Sequence, residues 1–350
     1  KDNIKMSKNI VNYIYNSFSQ IGNKKRESTL TYIEKLNRID DMRNKLLQFK
    51  KEQSFDEIFS SFPQFIVIGP QSSGKSSVLQ RITGISLPTS SGVCTRVPTV
   101  IKLRRGQKSA TVDLIHPNGT KQNFENSNTM DNVPRAIIQA QKQFKDRGEF
   151  GKDFYIEVFI QDLEKPNITL VDLPGFTNSS DENTVIVNDM VKKYLDMNGT
   201  LILHVARADQ DYDSLLGNDF IRKHSTERVL VLTHCDKLED EGAKNYTQRL
   251  DETLEKQTDN INVFAMMASK SLEEMSHEDE VSYLQRLNSI NTRERIRLGT
   301  KNLYEFIEKR MEQHLDAQIP FLRDQIQKMK NELDEKRKEY DKDPTQVLLE

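Results

Sequence analysis

Cysteine is scarce in this chain: Cys94 and Cys235 are the only two in 350 residues, and they lie far apart. That excludes a disulfide framework and any cysteine-rich metal spacing, and it fits a reducing cytosol. Long apolar runs are also missing. The longest, FIVIG, LILHVA and VLVL, fall far below the ~18 residues that cross a bilayer. The first residues carry no secretory pattern. Net charge is nearly absent, at −2 from 51 basic and 53 acidic residues, so no global field attracts nucleic acid or membrane. No nucleic-acid partner is expected. Internal repeats and low-complexity tracts are missing as well. The chain begins at Lys1 and ends on the apolar VLLE, so it is expected to be a piece of a longer protein that continues past Glu350.

What is present is a soluble, heavily charged composition, 35% hydrophobic and 30% charged. The length suits two domains, or one large domain with appendages. Up to about residue 61, apolar residues recur at three-to-four spacing, which predicts polar helices with one stripe each, the second starting near Ser28-Thr29. Between residues 65 and 270, FIVIG, TVIKL, TVDLIH, YIEVFI, ITLVDL, TLILHV, RVLVLTH and INVFAMM read as strands. Helical patterns lie between many of them, at 75–83, 133–144, 182–197, 213–223 and 245–258. Several strands are apolar on consecutive residues, as in sheets covered on both faces. The alternation predicts an α/β fold with an extended, mostly parallel central sheet flanked by helices. From residue 300 to 340 the pattern is helical again. Pro320 is expected to break or kink that run. Leu322, Ile326, Met329 and Leu333 form a narrow stripe suited to packing on another helix.

The chemistry concentrates in IVIGPQSSGKSS. Gly69-Pro70-Gln71-Ser72-Ser73-Gly74-Lys75-Ser76 fits GxxxxGK[ST] between a strand and a helix, and Ser77 follows in the helix. Glycines let the chain fold around phosphate oxygens, and successive N–H groups meet a helix N-terminus. Lys75 is expected to reach the β- and γ-phosphates, and Ser76 to ligate Mg²⁺. Asp172-Leu173-Pro174-Gly175 ends the strand ITLV. An aspartate there can hold Mg²⁺ through water, and the Gly175 N–H can sense the γ-phosphate. In LPTSSGVCTRVPTV, Thr95 is the choice to complete the Mg²⁺ shell, with Thr89 and Thr99 as competitors.

For the base, Thr233-His234-Cys235-Asp236 closes another strand. The Asp236 carboxylate can accept from guanine N1–H and the 2-amino group, where adenine offers no such donor pair. The usual [NT]KxD pattern is incomplete, because His234 stands in place of lysine. Ala268-Ser269-Lys270 follows INVFAMM as a candidate last base-contacting loop. The position after the DxxG glycine is Phe176, where small regulatory GTPases carry a glutamine that orients water. Gln71 and Ser72 are polar residues at the cradle mouth.

These segments, with VLVLTHCDKLEDEG and LGTKNLYEFIEKRMEQHLDAQIPFLRDQI, resemble the dynamin superfamily of large GTPases over roughly residues 35–350, near its dynamin and Mx branches. The resemblance implies a P-loop GTPase head over residues 62–299. It also implies a helical bundle built from N-terminal helices in 1–61 and a C-terminal helix in 300–340, with Pro320 as its hinge, and a truncated stalk from 341. Gln71 and Ser72 would orient water and help hold a monovalent cation (K⁺ or Na⁺), with Gly92 in the same cation loop. Thr95 would position the water, and Asp211 would reach across a GTP-dependent head dimer. The implied ligands are GTP and Mg²⁺. The implied partners are further copies of the chain and, through parts outside it, membrane lipid, with the protein cytoplasmic and peripheral to the membrane when assembled. Three positions depart from the family pattern: Ser90 replaces a glycine, Asn178 a lysine, and His234 a lysine.

Overall fold

The computed structural model describes residues 31–49, 64–70, 72–85, 87, 95–127, 129–175, 182–197, 199–208, 228–235, 262–267, 276–286 and 296–340. They fall into two compact units. One comprises Gln64–Pro117 and Lys121–Met311. The other draws on Lys1–Pro63, Asn118–Thr120 and Glu312–Glu350.

Among the described residues of the larger unit, ten strands form one sheet. In chain order they are β1 (Gln64–Ile68), β2 (Thr99–Arg104), β3 (Ser109–Ile115), β4 (Lys121–Ser127), β5 (Tyr155–Gln161), β6 (Ile168–Asp172), β7 (Thr200–Arg207), β8 (Arg228–Thr233), β9 (Asn262–Ala265) and β10 (Ile296–Leu298). Their spatial order is β10-β9-β8-β7-β1-β6-β2-β5-β3-β4. From β10 to β6 every neighbouring pair is parallel. The sheet reverses at β2, which is antiparallel to β6 and parallel to β5, while β3 is antiparallel to both β5 and β4. All five residues of β1 are buried, as are all five of β6. This explains why these strands read as continuous apolar runs rather than alternating ones.

The helices follow the same logic. Preceding the sheet in sequence is α1 (Tyr32–Phe49), and α2 (Lys75–Thr83) follows β1 directly. On α3 (Val133–Lys145), Val133, Ala136, Ile137, Ala140, Gln141 and Phe144 are buried. Their three-to-four spacing is one helical stripe. On α4 (Glu182–Leu195), Val187, Val191 and Leu195 pack with Ile66, Ile68, Val171 and Ile202 of the sheet. Two strands escaped the sequence reading. β4 (KQNFENS) is an edge strand with exposed polar residues, and β10 has only three residues. The helix α5 (His277–Arg286) was missed too, although its start is marked. The Asp279 N–H donates to Ser276 Oγ at 3.1 Å, and three acidic residues fill its first turn. The expected helices at 213–223 and 245–258 lie outside the described residues.

In the smaller unit α1 starts on a capping box. Glu34 N–H donates to Thr31 Oγ1 at 3.3 Å, and Thr31 N–H donates to Glu34 Oε2 at 2.8 Å. Thr31 therefore caps this helix, in place of the expected Ser28-Thr29, which lie outside the described residues. The long helix α6 (Thr300–Tyr340), whose residues from Glu312 on belong to this unit, passes through Pro320 without the break that was one of the two expected outcomes. Proline lacks the N–H that would bond the Asp316 carbonyl, but Pro320 is exposed, so water can satisfy that carbonyl. On either side Leu315, Ile319, Leu322 and Ile326 are buried and hold the helical path. Met329 and Leu333 of the expected stripe have side chains outside the description. Leu36, Ile39 and Met42 form the matching buried stripe of α1, and Lys35 Nζ donates to Asp316 Oδ1 at 2.6 Å.

Candidate functional site

Parallel strands place their C-terminal ends along one edge of the sheet, and ligands of open α/β sheets bind in the crevice there. β1 lies between β6 and β7. Its end leads into Gly69 and Pro70, the end of β6 is Asp172, and the end of β8 is Thr233. Three of the expected segments thus meet at one edge because their strands are parallel and adjacent or nearly so.

The cradle is shaped by close approach. A Cβ on Gly69 would stand 2.2 Å from the Val205 carbonyl oxygen. Gly74 has φ +91, and a Cβ there would meet Thr233 Oγ1 at 3.0 Å. Only glycine combines that backbone with that clearance. Ser72, exposed at the mouth, has φ 63, an uncommon left-handed conformation for a side-chain-bearing residue. Among the described residues no side chain caps α2 at Gly74, which leaves its first N–H groups to an anion. Lys75 Nζ donates to the carbonyls of Gly69 at 2.9 Å and Pro70 at 2.8 Å. The ammonium is therefore poised over the cradle. Ser73 Oγ is buried with no hydrogen-bond partner among the described residues. Ser76 and Ser77 occupy the first turn of α2, half-buried.

Opposite the lysine, Thr95 Oγ1 donates to Asp172 Oδ2 at 3.0 Å. Burial pushes the Asp172 carboxyl up from 3.8 to about 6, against the nearby Lys75 charge and the Thr95 hydrogen bond, which lower it. Among the described residues this buried carboxylate is held by one hydroxyl and one more distant ammonium, and a cation beside it would relieve the cost of its burial. The donor set of Asp172, Thr95 and Ser76 is oxygen-only and suits Mg²⁺. Gly175 follows three residues on, half-buried.

Thr233 ties the segment expected to contact the base to the cradle segment. Its hydroxyl donates to the Ser73 carbonyl at 2.7 Å, with the Ala206 carbonyl at 3.2 Å. His234 Nδ1 lies 2.9 Å from the same hydroxyl oxygen. His234 has φ 56. Cys235 is buried, and its thiol donates to the Leu232 carbonyl at 3.6 Å.

The structure thus brings Gly69, Ser72, Ser73, Gly74, Lys75, Ser76, Ser77, Thr95, Asp172, Gly175, Thr233 and His234 to one edge. Thr99, a rival to Thr95, is instead the buried first residue of β2, where Gln141 donates to its hydroxyl. Gln71, Thr89, Gly92, Asp211, Asp236, Ser269 and Lys270 lie outside the described residues.

Three residues at this edge were not singled out from sequence. His204 on β7 is buried, and burial, with help from Arg228 and Lys75, lowers its pKa to about 4. Glu280 on α5 is fully buried. It accepts from Met267 N–H at 3.2 Å, Thr300 N–H at 2.8 Å and Thr300 Oγ1 at 3.1 Å, and pairs with Arg81 Nη2 at 3.1 Å. One carboxylate thereby joins the end of the cradle helix α2, the exit of β9 and the start of α6. Gln141, on the buried stripe of α3, is the third. A polar residue at a stripe position was the available signal for it.

Comparison with known proteins gives the same direction. The family model described as Dynamin family matches residues 65–233. Dynamin-related protein 4A of Arabidopsis thaliana is 32% identical over 183 residues, 50% of this chain and 59% of that protein. Dynamin-related protein 4C of the same plant is 30% identical over 182 residues, 50% of this chain and 27% of that protein. Interferon-induced GTP-binding protein Mx2 of Canis lupus familiaris is 35% identical over 156 residues, 43% of this chain and 22% of that protein. The matched region therefore spans less than two thirds of the length of each of these relatives.

Proposed function

We propose that the chain is a large GTPase of the dynamin superfamily that hydrolyses GTP to GDP and phosphate, with head-to-head dimerisation coupled to work on a membrane; the family match over residues 65–233 supports this reading. The observation that carries the reading is the constellation of Lys75, Asp172 and Thr95 at the strand ends, with the Thr95–Asp172 hydrogen bond already formed. Glycine-lined N–H groups and the uncapped start of α2 would bind the phosphates. Lys75 would exchange the Gly69 and Pro70 carbonyls for phosphate oxygens, a more negative partner. Asp172, Thr95 and Ser76 would hold Mg²⁺, which supplies charge neutralisation between the phosphates. Gly175 would report the γ-phosphate. Asp236 would select guanine, with His234 covering the base where relatives place a lysine stem.

Phe176 follows the DxxG glycine, so the water must be oriented elsewhere. Gln71 and the exposed Ser72 at the cradle mouth take that role, with Ser72 and Gly92 holding a monovalent cation that offsets developing charge. Asp211 reaches across the dimer. The N-terminal helices of 1–61 and α6 carry the head's state onward as a bundle, with Pro320 as hinge, and 341–350 leads into a stalk. The setting is cytoplasmic, peripheral to a membrane when assembled.

Turnover per molecule is the test. It should rise with protein concentration in K⁺ and fall in a cation too large for the site. Flat turnover in both would refute dimer-stimulated hydrolysis. Similarity to the Mx2 protein favours a second reading, a scaffold that binds foreign assemblies rather than a membrane remodeller. Failure to bind or tubulate anionic vesicles, with GTP turnover intact, would favour it.

A further inference from the structure

We infer that Gln141 of α3 is a positioning residue for Thr95, holding the segment 95–98 in place before any nucleotide arrives; this rests on the GTPase reading above. The amide is buried and uses all four of its bonding capacities. Its Oε1 accepts from the backbone N–H of Arg96 at 2.8 Å and of Val97 at 3.1 Å. Its Nε2 donates to the Val97 carbonyl at 2.8 Å and to Thr99 Oγ1 at 3.2 Å. One side chain thus takes the place of a paired strand for the two residues after Thr95. Nothing smaller or apolar can serve, because both N–H groups and the carbonyl would be left without partners.

The surroundings complete the clamp. The Gly151 N–H donates to the Arg96 carbonyl at 3.1 Å, and the Ile156 N–H to the Pro98 carbonyl at 2.8 Å. The Arg96 guanidinium lies 5.1 Å from the centre of the Phe150 ring. A Cβ on Gly151 would press against Phe144 of α3 and Val97, at 2.7 and 2.8 Å, so the turn fits only with glycine there. From this base Thr95 reaches Asp172 at 3.0 Å. The consequence is a division of labour: this end of the segment between α2 and β2 is pre-set by α3, and γ-phosphate sensing does not have to order it.

The experiment compares Gln141→Met, which keeps the shape and removes every hydrogen bond, with the parent chain. Gln139→Met, an exposed neighbour on α3, is the control. A displaced Thr95 should lower kcat for GTP about 10- to 100-fold, while the affinity for GDP stays within about two-fold and Gln139→Met keeps the parent rate. Hydrogen exchange of the Arg96 and Val97 amides should be slow in the nucleotide-free parent and much faster in Gln141→Met. If Gln141→Met does not fold, Gln141→Glu, which keeps an acceptor but loses both donors, carries the same comparison. Parent-like kcat together with parent-like exchange would overturn the inference. A parent chain with no GTP turnover would overturn the function proposed above, and the exchange comparison would then decide the clamp by itself.

Discussion

Replacing Asp172 with asparagine should stabilise the nucleotide-free protein near neutral pH while abolishing its Mg²⁺-dependent turnover. The carboxyl is buried, and burial raises its pKa from 3.8 to about 6. Below the lower value it is neutral both folded and unfolded, and it costs nothing. As pH rises through about 6 the folded state must carry a desolvated charge, and stability is lost. A rise of that size corresponds to about 3 kcal/mol at about pH 7.5. Asparagine keeps an oxygen for the Thr95 hydroxyl and carries no charge. For a domain of this size the gain should raise Tm by about 5 °C. Differential scanning fluorimetry with EDTA at about pH 7.5 and at about pH 4.5 reads it, and the gain should shrink to about a third at the acid end. A variant that melts lower than the parent at both pH values would refute the reasoning. So would a gain that grows on acidification, because the destabilisation would then not be a buried charge. The same residue is therefore predicted to trade stability for cation binding, as functional sites often do.

His204 shows the opposite slope. Its pKa is lowered to about 4, so its contribution is lost as pH falls through that value, and His204→Leu should remove about 3 kcal/mol of acid sensitivity, read as a flatter Tm profile below about pH 6. An unchanged acid limb would count against this. Thr233→Val removes the hydroxyl that bonds the Ser73 carbonyl and should cost about 1–2 kcal/mol of stability and raise KM for GTP more than it lowers kcat. An unchanged KM would break the link between base segment and cradle. Glu280→Gln breaks the buried pair with Arg81 and should cost about 3–5 kcal/mol in a urea titration, whereas an exposed change such as Gln285→Ala should be within about 0.5 kcal/mol.

Much of the site was legible because its chemistry is contiguous. A strand, a glycine turn and a lysine at the start of a helix are a local pattern, and the described residues among Gly69 to Ser77 fold as that pattern requires. Asp172 and Thr233 were legible as polar residues that end apolar strands. The helix α5 was overlooked although its Ser276 cap and acidic first turn were in view, because its apolar stripe is sparse. The edge strand β4 was overlooked because it is polar on both faces. Pro320 does not break the helix because its penalty is local, while the buried residues on either side of it hold the helix together.

The order of motifs along the chain was enough by itself to point to the superfamily whose model matches residues 65–233, and to mark the polar residues that parallel strands bring to one edge of the sheet. Only the tertiary structure decided the rest. Thr95 was separated from Thr99 by a hydrogen bond to a carboxylate 77 residues away. The Ser73 carbonyl meets the Thr233 hydroxyl across 160 residues. Gln141 is one polar position on a helical stripe, and only its amide lying against residues 44 and 45 positions earlier gives it a role. The reason is physical. Periodicity and turn chemistry act over a few residues, so they can be read in one dimension. Burial, pKa and complete hydrogen-bond satisfaction depend on which distant groups the sheet brings within about 3 Å.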